Sequence, residues 1–326
     1  MSKLPLVFVT RQIPETGIAY LSGRARIEVW EHKEPPPYQE LVAKTQNSDG
    51  LLCLLTDRID RQLIESSPHL KVISQMAVGY DNIDIVAATE KKIPVGNTPG
   101  VLTEATADLT WALLLAAARR IPEAQKYVKD GLWKTWEPTL LLGADLTEAT
   151  LGIVGLGRIG QAVARRAVGF NMRVLYYGRT RKPEIENSLG VEFRQFDSLL
   201  AESDFVTVHA PLTSETKFMF SYKQFQRMKE TSIFINTSRG LLVDSEALYR
   251  ALCERQIAYA ALDVTVPEPL TSQSKLLSLP NLIIVPHIGS ASYKTRSKMA
   301  LMAAVNLIAG LNQERLPNCV NPDVYN

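Results

Sequence analysis

The chain is expected to be α/β, with two doubly wound parallel-sheet domains and a cleft between them. Three observations predict this. Short apolar runs alternate with helix-like segments along the whole length. Those runs are continuously apolar rather than alternating, the mark of strands covered on both faces. At 326 residues, the chain is longer than one hydrophobic core ordinarily serves, so two domains are expected.

The first half supplies "PLVFVT" (5–10), "GLLCLL" (50–55), "LKVISQMA" (70–77) and "IPVGNT" (93–98) as strands. "RQLIESS" and "NIDIVAATEKK" lie between them and read as helices, and "EPPPY" (34–38) is a stiff loop. After "NTPGV", a long helix is predicted between a Thr103 cap and Arg120, just ahead of Pro122. It is apolar all round from Trp111 to Ala118, as a helix buried on several sides would be. A second series follows: "TLGIVGLG", "MRVLYYG", "FVTVHAP", "SIFINTS", "AYAALDV" and "LIIVPHI". The final helix, "YKTRSKMALMAAVNLIAGLNQ", places Met299, Met302, Val305 and Leu307 on its apolar side and is expected to pack back on the first part. The expected domains are residues 1–98 with 291–326, and residues 99–290.

Composition narrows the function. A net charge of +2 with scattered Lys and Arg gives no footprint for nucleic acid or an anionic membrane. Cys53, Cys253 and Cys319 lie far apart, which is neither a disulfide framework nor a metal-ligand spacing. No metal is expected. The N-terminal apolar run is too short for a signal peptide and no stretch reaches membrane-spanning length, so a cytoplasmic protein is expected.

"GLGRIG" matches G-x-G-x-x-G at Gly155, Gly157 and Gly160. The first glycine permits the tight turn, the second lets backbone approach a pyrophosphate, and the third lets helix and strand pack closely. The helix start at Arg158 and Ile159 offers free N–H groups and the positive dipole end. The motif follows a strand and opens a helix with Ile159, Val163, Ala164 and Ala167 in one stripe, which is the Rossmann-like context it needs. The alternative is a tight turn with no ligand.

In an NAD site the next strand ends in an acid that accepts from the ribose 2′-OH. Here "YYGRTRKP" puts Gly178, Arg179 and Thr180 at that place, followed by Arg181 and Lys182. Nothing repels a 2′-phosphate, Arg179 can fork onto it and Thr180 can donate. NADP(H) is therefore the preferred cofactor, with NAD(H) as the alternative; the contrary reading is a solvated cationic turn.

Three stretches then place ionisable residues just beyond apolar strands: Arg239 in "INTSRGLLVD", Glu268 in "ALDVTVPEPL" and His287 in "IIVPHIGSAS". A guanidinium binds a carboxylate bidentately. An imidazole exchanges a proton at a carbonyl or hydroxyl near neutral pH. A carboxylate beside that ring holds it in place and favours its charged form. These are parts for hydride transfer between a nicotinamide and a 2-oxo acid, with Arg239 anchoring, His287 supplying the proton and Glu268 tuning it. Taken singly, each has a plainer reading as a turn or packing residue.

With "VGYDNID", "NTPGV", "GLGRIGQAVARR", "NTSRG", "DVTVPEPL" and "PHIGSA" in this order, the chain resembles the D-isomer-specific 2-hydroxyacid dehydrogenase family over nearly its whole length. "GLLCLLTDRID", "LWKTWEP" and "YYGRTRKP" make it most similar to the glyoxylate/hydroxypyruvate reductases. The resemblance implies catalytic Arg239, Glu268 and His287. It implies backbone around Val78 and Gly79 on the substrate carboxylate, and Leu54 lining the pocket. It implies Asp263 on the nicotinamide carboxamide, Thr106 near the nicotinamide, and His209 and Pro211 beside the adenosine half; His209 is also readable as a packed strand-end residue. It further implies a homodimer in which Trp136 of one subunit reaches the other's active site, with dimer packing as the alternative. The implied reactions are glyoxylate to glycolate and hydroxypyruvate to D-glycerate. The rivals are a reductase of bulkier 2-oxo acids and a non-catalytic dinucleotide-sensing scaffold. Two departures stand out. Gly178 replaces an acid found in many relatives, and Val78 stands where phosphite dehydrogenases carry Lys.

Overall fold

A computed structural model describes residues 4–326. The chain divides into two compact units, one of residues 4–102 with 290–326 and one of Thr103–Gly289.

The first unit holds a five-stranded parallel sheet. Its strands are β1 (Leu6–Val9), β2 (Arg26–Val29), β3 (Gly50–Cys53), β4 (Val72–Gln75) and β5 (Val95–Gly96), in the order β2-β1-β3-β4-β5. Strand β3 is buried throughout, and Phe8, Leu51, Cys53, Ile73 and Val95 share one core with Leu63 and Ala87 from the covering helices. Asp60 and Asp84 cap helices 61–65 and 85–90 by accepting from Leu63 and Ala87 N–H, which satisfies donors a helix start leaves open.

The final helix, Tyr293–Leu311, begins at a Ser292 cap and belongs to this unit. Its buried stripe is built mainly from small residues: Ala300, Ala303, Ala304 and Gly310 join Met299 and Leu307. Met302 and Val305, expected on that face, are only half-buried. The close approach explains the difference: a Cβ on Gly310 would lie 2.5 Å from Val72, and one on Gly17 would lie 3.0 Å from Ala300. At those two points of contact there is no room for a longer side chain.

The second unit holds a seven-stranded parallel sheet. Its strands are β6 (Thr150–Val154), β7 (Arg173–Tyr177), β8 (Glu192–Phe193), β9 (Phe205–Val208), β10 (Ile233–Asn236), β11 (Tyr259–Leu262) and β12 (Leu282–Ile284), in the order β12-β11-β10-β9-β6-β7-β8. The order reverses at β6, between β7 and β9, and such a switch point opens a ligand crevice at the strands' carboxyl ends. The long helix Thr103–Ala118 starts at Thr103, so this threonine lies in the first turn rather than capping it. Arg120, in the left-handed region at φ 52, breaks the chain before the next helix at Ile121. The long helix buries Ala107, Trp111, Leu114, Ala117 and Ala118, while Ala112 stays exposed. Trp111 stacks on Phe170 and donates its indole N–H to the Val163 carbonyl, tying this helix to the one that follows the glycine turn.

Candidate active site

The glycine turn joins β6 to helix Arg158–Ala167. Gly155 has φ +100, and a Cβ there would lie 2.7 Å from Ala210 N and the His209 carbonyl carbon, so only glycine fits. A Cβ on Gly160 would sit 2.2 Å from the Gly155 carbonyl oxygen. Around Gly157, by contrast, a Cβ would meet nothing within 4 Å. Open space lies beside an exposed turn, and Gly157 caps the helix with no side chain on its N–H groups. That cradle suits a pyrophosphate at the amide groups of Arg158 and Ile159. The surroundings therefore fit a dinucleotide.

At the end of β7, Gly178 is equally open, since a Cβ would meet only the Thr180 carbonyl oxygen, at 3.8 Å. Arg179 and Thr180 are exposed. Arg181, next in the same cationic stretch, is already paired. Its Nε and Nη2 fork onto Glu186 at 2.8–3.1 Å, and Glu186 also accepts from the Tyr176 hydroxyl at 2.6 Å. Lys182 is also engaged, donating from Nζ to the Leu156 carbonyl within the glycine turn at 2.9 Å. Of the four candidates, Arg179 and Thr180 carry no such tether.

His209 and Pro211 follow β9, and the His209–Ala210 peptide lies against Gly155. The Nε2 of His209 is sealed from solvent with no hydrogen-bond partner. Burial pushes its pKa down to about 3, so the ring is neutral.

Arg239 follows β10. Its carbonyl accepts from Asn236 Nδ2, and its Nη1 donates to the Ser238 carbonyl at 2.8 Å. The Ser238 hydroxyl in turn donates to the Ala210 carbonyl at 2.6 Å, joining the turns after β9 and β10. Gly240 lets this turn press on the next: a Cβ there would lie 2.1 Å from the Thr265 carbonyl oxygen. Glu268 follows β11 and His287 follows β12, and their side chains meet, His287 Nδ1 against Glu268 Oε1. Both remain partly open to solvent.

Asp263, at the end of β11 and almost wholly buried, holds the backbone after His287. Its Oδ1 accepts from Ile288 N–H at 2.6 Å and its Oδ2 from Gly289 N–H at 2.8 Å. The His287 N–H donates to the Asp263 carbonyl at 3.0 Å, and His287 itself sits at φ 52. Burial pushes the Asp263 carboxyl pKa up, against the opposing pull of those N–H groups. Thr106 lies on the other side of Gly289, with its side chain 3.5 Å from where a Cβ there would stand.

Leu54, Val78 and Gly79 belong to the first unit, in the turns after β3 and β4. Trp136 is 80% exposed, and Trp133, Leu132 and Leu142 near it in sequence are exposed as well. Among the described residues no group of His, Cys, Asp or Glu could hold a metal, and no helix is long and apolar enough to cross a membrane. Sequence reasoning passed over Gln75, Asn82 and Asn97, whose amides hold the turns after β3 and β4. A polar Gln75 inside the apolar run "KVISQMAV" was the available signal.

Fold and site together define a nicotinamide-dinucleotide-dependent dehydrogenase of the doubly wound class. Residues 111–289 match the family described as D-isomer specific 2-hydroxyacid dehydrogenase, NAD binding domain. A glyoxylate reductase of Korarchaeum cryptofilum is 51% identical over 321 residues, covering 98% of this chain and 97% of that protein. A crystal structure of a Thermus thermophilus protein matches with TM-score 0.91 at 48% identity, covering 97% of this chain and 99% of that one. An NADPH-dependent glyoxylate/hydroxypyruvate reductase from Sinorhizobium meliloti, in complex with NADP and malonate, matches with TM-score 0.86 at 30% identity, covering 98% of this chain and 97% of that one. The chain belongs to the D-isomer-specific 2-hydroxyacid dehydrogenase family and is an NAD(P)-dependent D-2-hydroxyacid dehydrogenase.

Proposed function

We propose that the protein is a homodimeric, cytoplasmic, NADPH-dependent reductase of small 2-oxo acids, converting glyoxylate to glycolate and hydroxypyruvate to D-glycerate. The observation that carries the reaction is the Glu268–His287 pair at neighbouring strand ends. With Nδ1 engaged by the carboxylate, Nε2 is the ring atom left to give a proton to a substrate carbonyl oxygen. The carboxylate fixes the ring's orientation and compensates the imidazolium charge. Asp263, gripping the peptides of Ile288 and Gly289, holds the segment that carries the ring. Arg239 draws the substrate carboxylate or carbonyl through its planar fork. The bound cofactor supplies the hydride. The amides of Arg158 and Ile159 hold its pyrophosphate, Thr106 and Asp263 lie toward its nicotinamide end, and His209 and Pro211 lie toward its adenosine end.

Preference for NADPH is supported by the bare Gly178 and the untethered Arg179 and Thr180. The Sinorhizobium meliloti relative is NADPH-dependent by its description. On the first unit, Leu54 and the Val78–Gly79 backbone form the substrate side. The homodimer is supported by the exposed apolar run that includes Leu132, Trp133 and Trp136, with Trp136 offered to the partner's site. Initial rates with glyoxylate and hydroxypyruvate, each with NADPH and NADH, test the proposal. Fast turnover with NADPH and slow turnover with NADH is expected. No turnover on any 2-oxo acid, with cofactor binding retained, would make the protein a sensing scaffold.

A further inference from the structure

We infer that the amide pair Gln75–Asn82 positions the carboxylate seat of the first unit; this rests on the reading of Val78 and Gly79 as substrate-binding backbone. Three successive carbonyls after β4 are turned into the fold. The Ala77 carbonyl accepts from Thr98 N–H at 2.9 Å, that of Val78 from Asn97 Nδ2 at 2.8 Å, and that of Gly79 from Gln75 Nε2 at 3.2 Å. A trans peptide points its N–H opposite to its carbonyl. The N–H groups of Val78, Gly79 and Tyr80 therefore point away from these partners. Consecutive backbone N–H groups left clear of such partners can form a nest for an anion, and a carboxylate is the anion a 2-oxo acid brings.

Gln75 and Asn82 hold this arrangement against the neighbouring turn. Gln75 is fully buried. Its Oε1 accepts from the Cys53 thiol at 3.0 Å, which fixes which way the amide faces. Its Nε2 donates to Asn82 Oδ1 at 2.7 Å as well as to the Gly79 carbonyl. Asn82 Nδ2 then donates to the carbonyls of Leu54 and Asp57, at 3.1 and 2.8 Å. The pair thus uses its four amide hydrogens on the turns after β3 and β4 and on each other. Burial keeps the Cys53 thiol protonated, so it remains a donor to Gln75. A buried network with every amide hydrogen used tolerates one geometry, and loss of one member releases both turns.

The test uses the full chain with Gln75→Met, which keeps the length of the side chain and removes its donors. Oxalate, a dicarboxylate that fits the seat and is not reduced, is titrated by calorimetry onto the NADPH complex, alongside KM and kcat for glyoxylate. The expected result is weaker oxalate binding and a higher glyoxylate KM, each by about tenfold, with kcat within about threefold and NADPH affinity unchanged. Asn82→Ser, shorter but still a donor, should give the same split to a smaller degree, and it serves as the test if Gln75→Met does not fold. Oxalate affinity equal to wild type in a folded variant overturns the inference. So does a parallel loss of kcat, NADPH binding and thermal stability, which would make the pair structural only. Failure of the wild type to reduce any 2-oxo acid would sink the functional reading instead, while the oxalate titration would still judge the seat.

Discussion

Glu268 and His287 stand nineteen positions apart in the chain, yet the carboxylate of one lies against Nδ1 of the other's ring. They meet because β11 and β12 are parallel neighbours, which brings the turns at their carboxyl ends side by side. His287→Ala removes the proton donor and should lower kcat for glyoxylate reduction by about 10²-fold or more, with NADPH affinity retained by fluorescence titration. Glu268→Gln should lower kcat by less. Equal NADPH affinity loss in both would place the pair in cofactor binding instead.

Cofactor choice rests on the tip of β7. Arg179→Ala should raise KM for NADPH about tenfold or more, the worth of a charge-assisted hydrogen bond, and leave NADH nearly untouched. Gly178→Asp has room for its side chain and should reverse the preference. Arg181→Ala should change neither, because Glu186 already holds that guanidinium. Steady-state kinetics with both cofactors reads all three.

The segment after His287 depends on Asp263. Asp263→Ala leaves the N–H groups of Ile288 and Gly289 without their acceptor in a buried place, so thermal stability and kcat should fall together. Asp263→Asn keeps an acceptor oxygen on one side only and should fall between wild type and Ala in both measurements.

Acid stability carries a signature of His209. Its pKa is about 3 in the folded chain against 6.5 ordinarily, so between those values the unfolded chain binds the extra proton. Stability should therefore be lost as pH falls from about 6.5 toward 3. His209→Phe should flatten that limb of a Tm-versus-pH curve while leaving the rest. An unchanged limb would assign acid lability elsewhere.

Tightness at the glycine turn makes a separate forecast. Gly160→Ala drives a methyl into the Gly155 carbonyl and should destabilise the chain by about 1–3 kcal/mol, as overpacking does. Gly157→Ala should spare stability, since its surroundings are open, and weaken cofactor binding instead.

Continuous apolar strands were legible, because burial on both faces leaves an unbroken run: β1, β3, β4 and β9–β11 all announce themselves that way. Of the four edge strands, β5 and β12 were legible as well, but β2 and β8 were not. β2 carries Arg26 and Glu28 and is nowhere fully buried, and β8 is two residues long. The glycine turn is readable because Gly155 and Gly160 follow from backbone sterics and Gly157 from the room a pyrophosphate needs. The fate of Arg181 is not, since Glu186 competes with phosphate only once a helical turn brings it round. The amides of Gln75, Asn82 and Asn97 escaped for a like reason. Apart from the Gln75–Asn82 contact they bond to backbone carbonyls, and only the polar Gln75 inside an apolar run marks them in the sequence.

The first unit's last helix also fixes an order of assembly. Helix Tyr293–Leu311 covers β3 and β4, where Leu307 fills the space beside Gly50, Gly310 lies on Val72 and the Ala303 carbonyl accepts from Ser74. On the ribosome, those two strands emerge long before the helix that covers them. The intervening residues can finish their own seven-stranded sheet first. Until that helix is made, the earlier strands keep part of one face bare, so the first unit can close only after the second unit's residues have been synthesised.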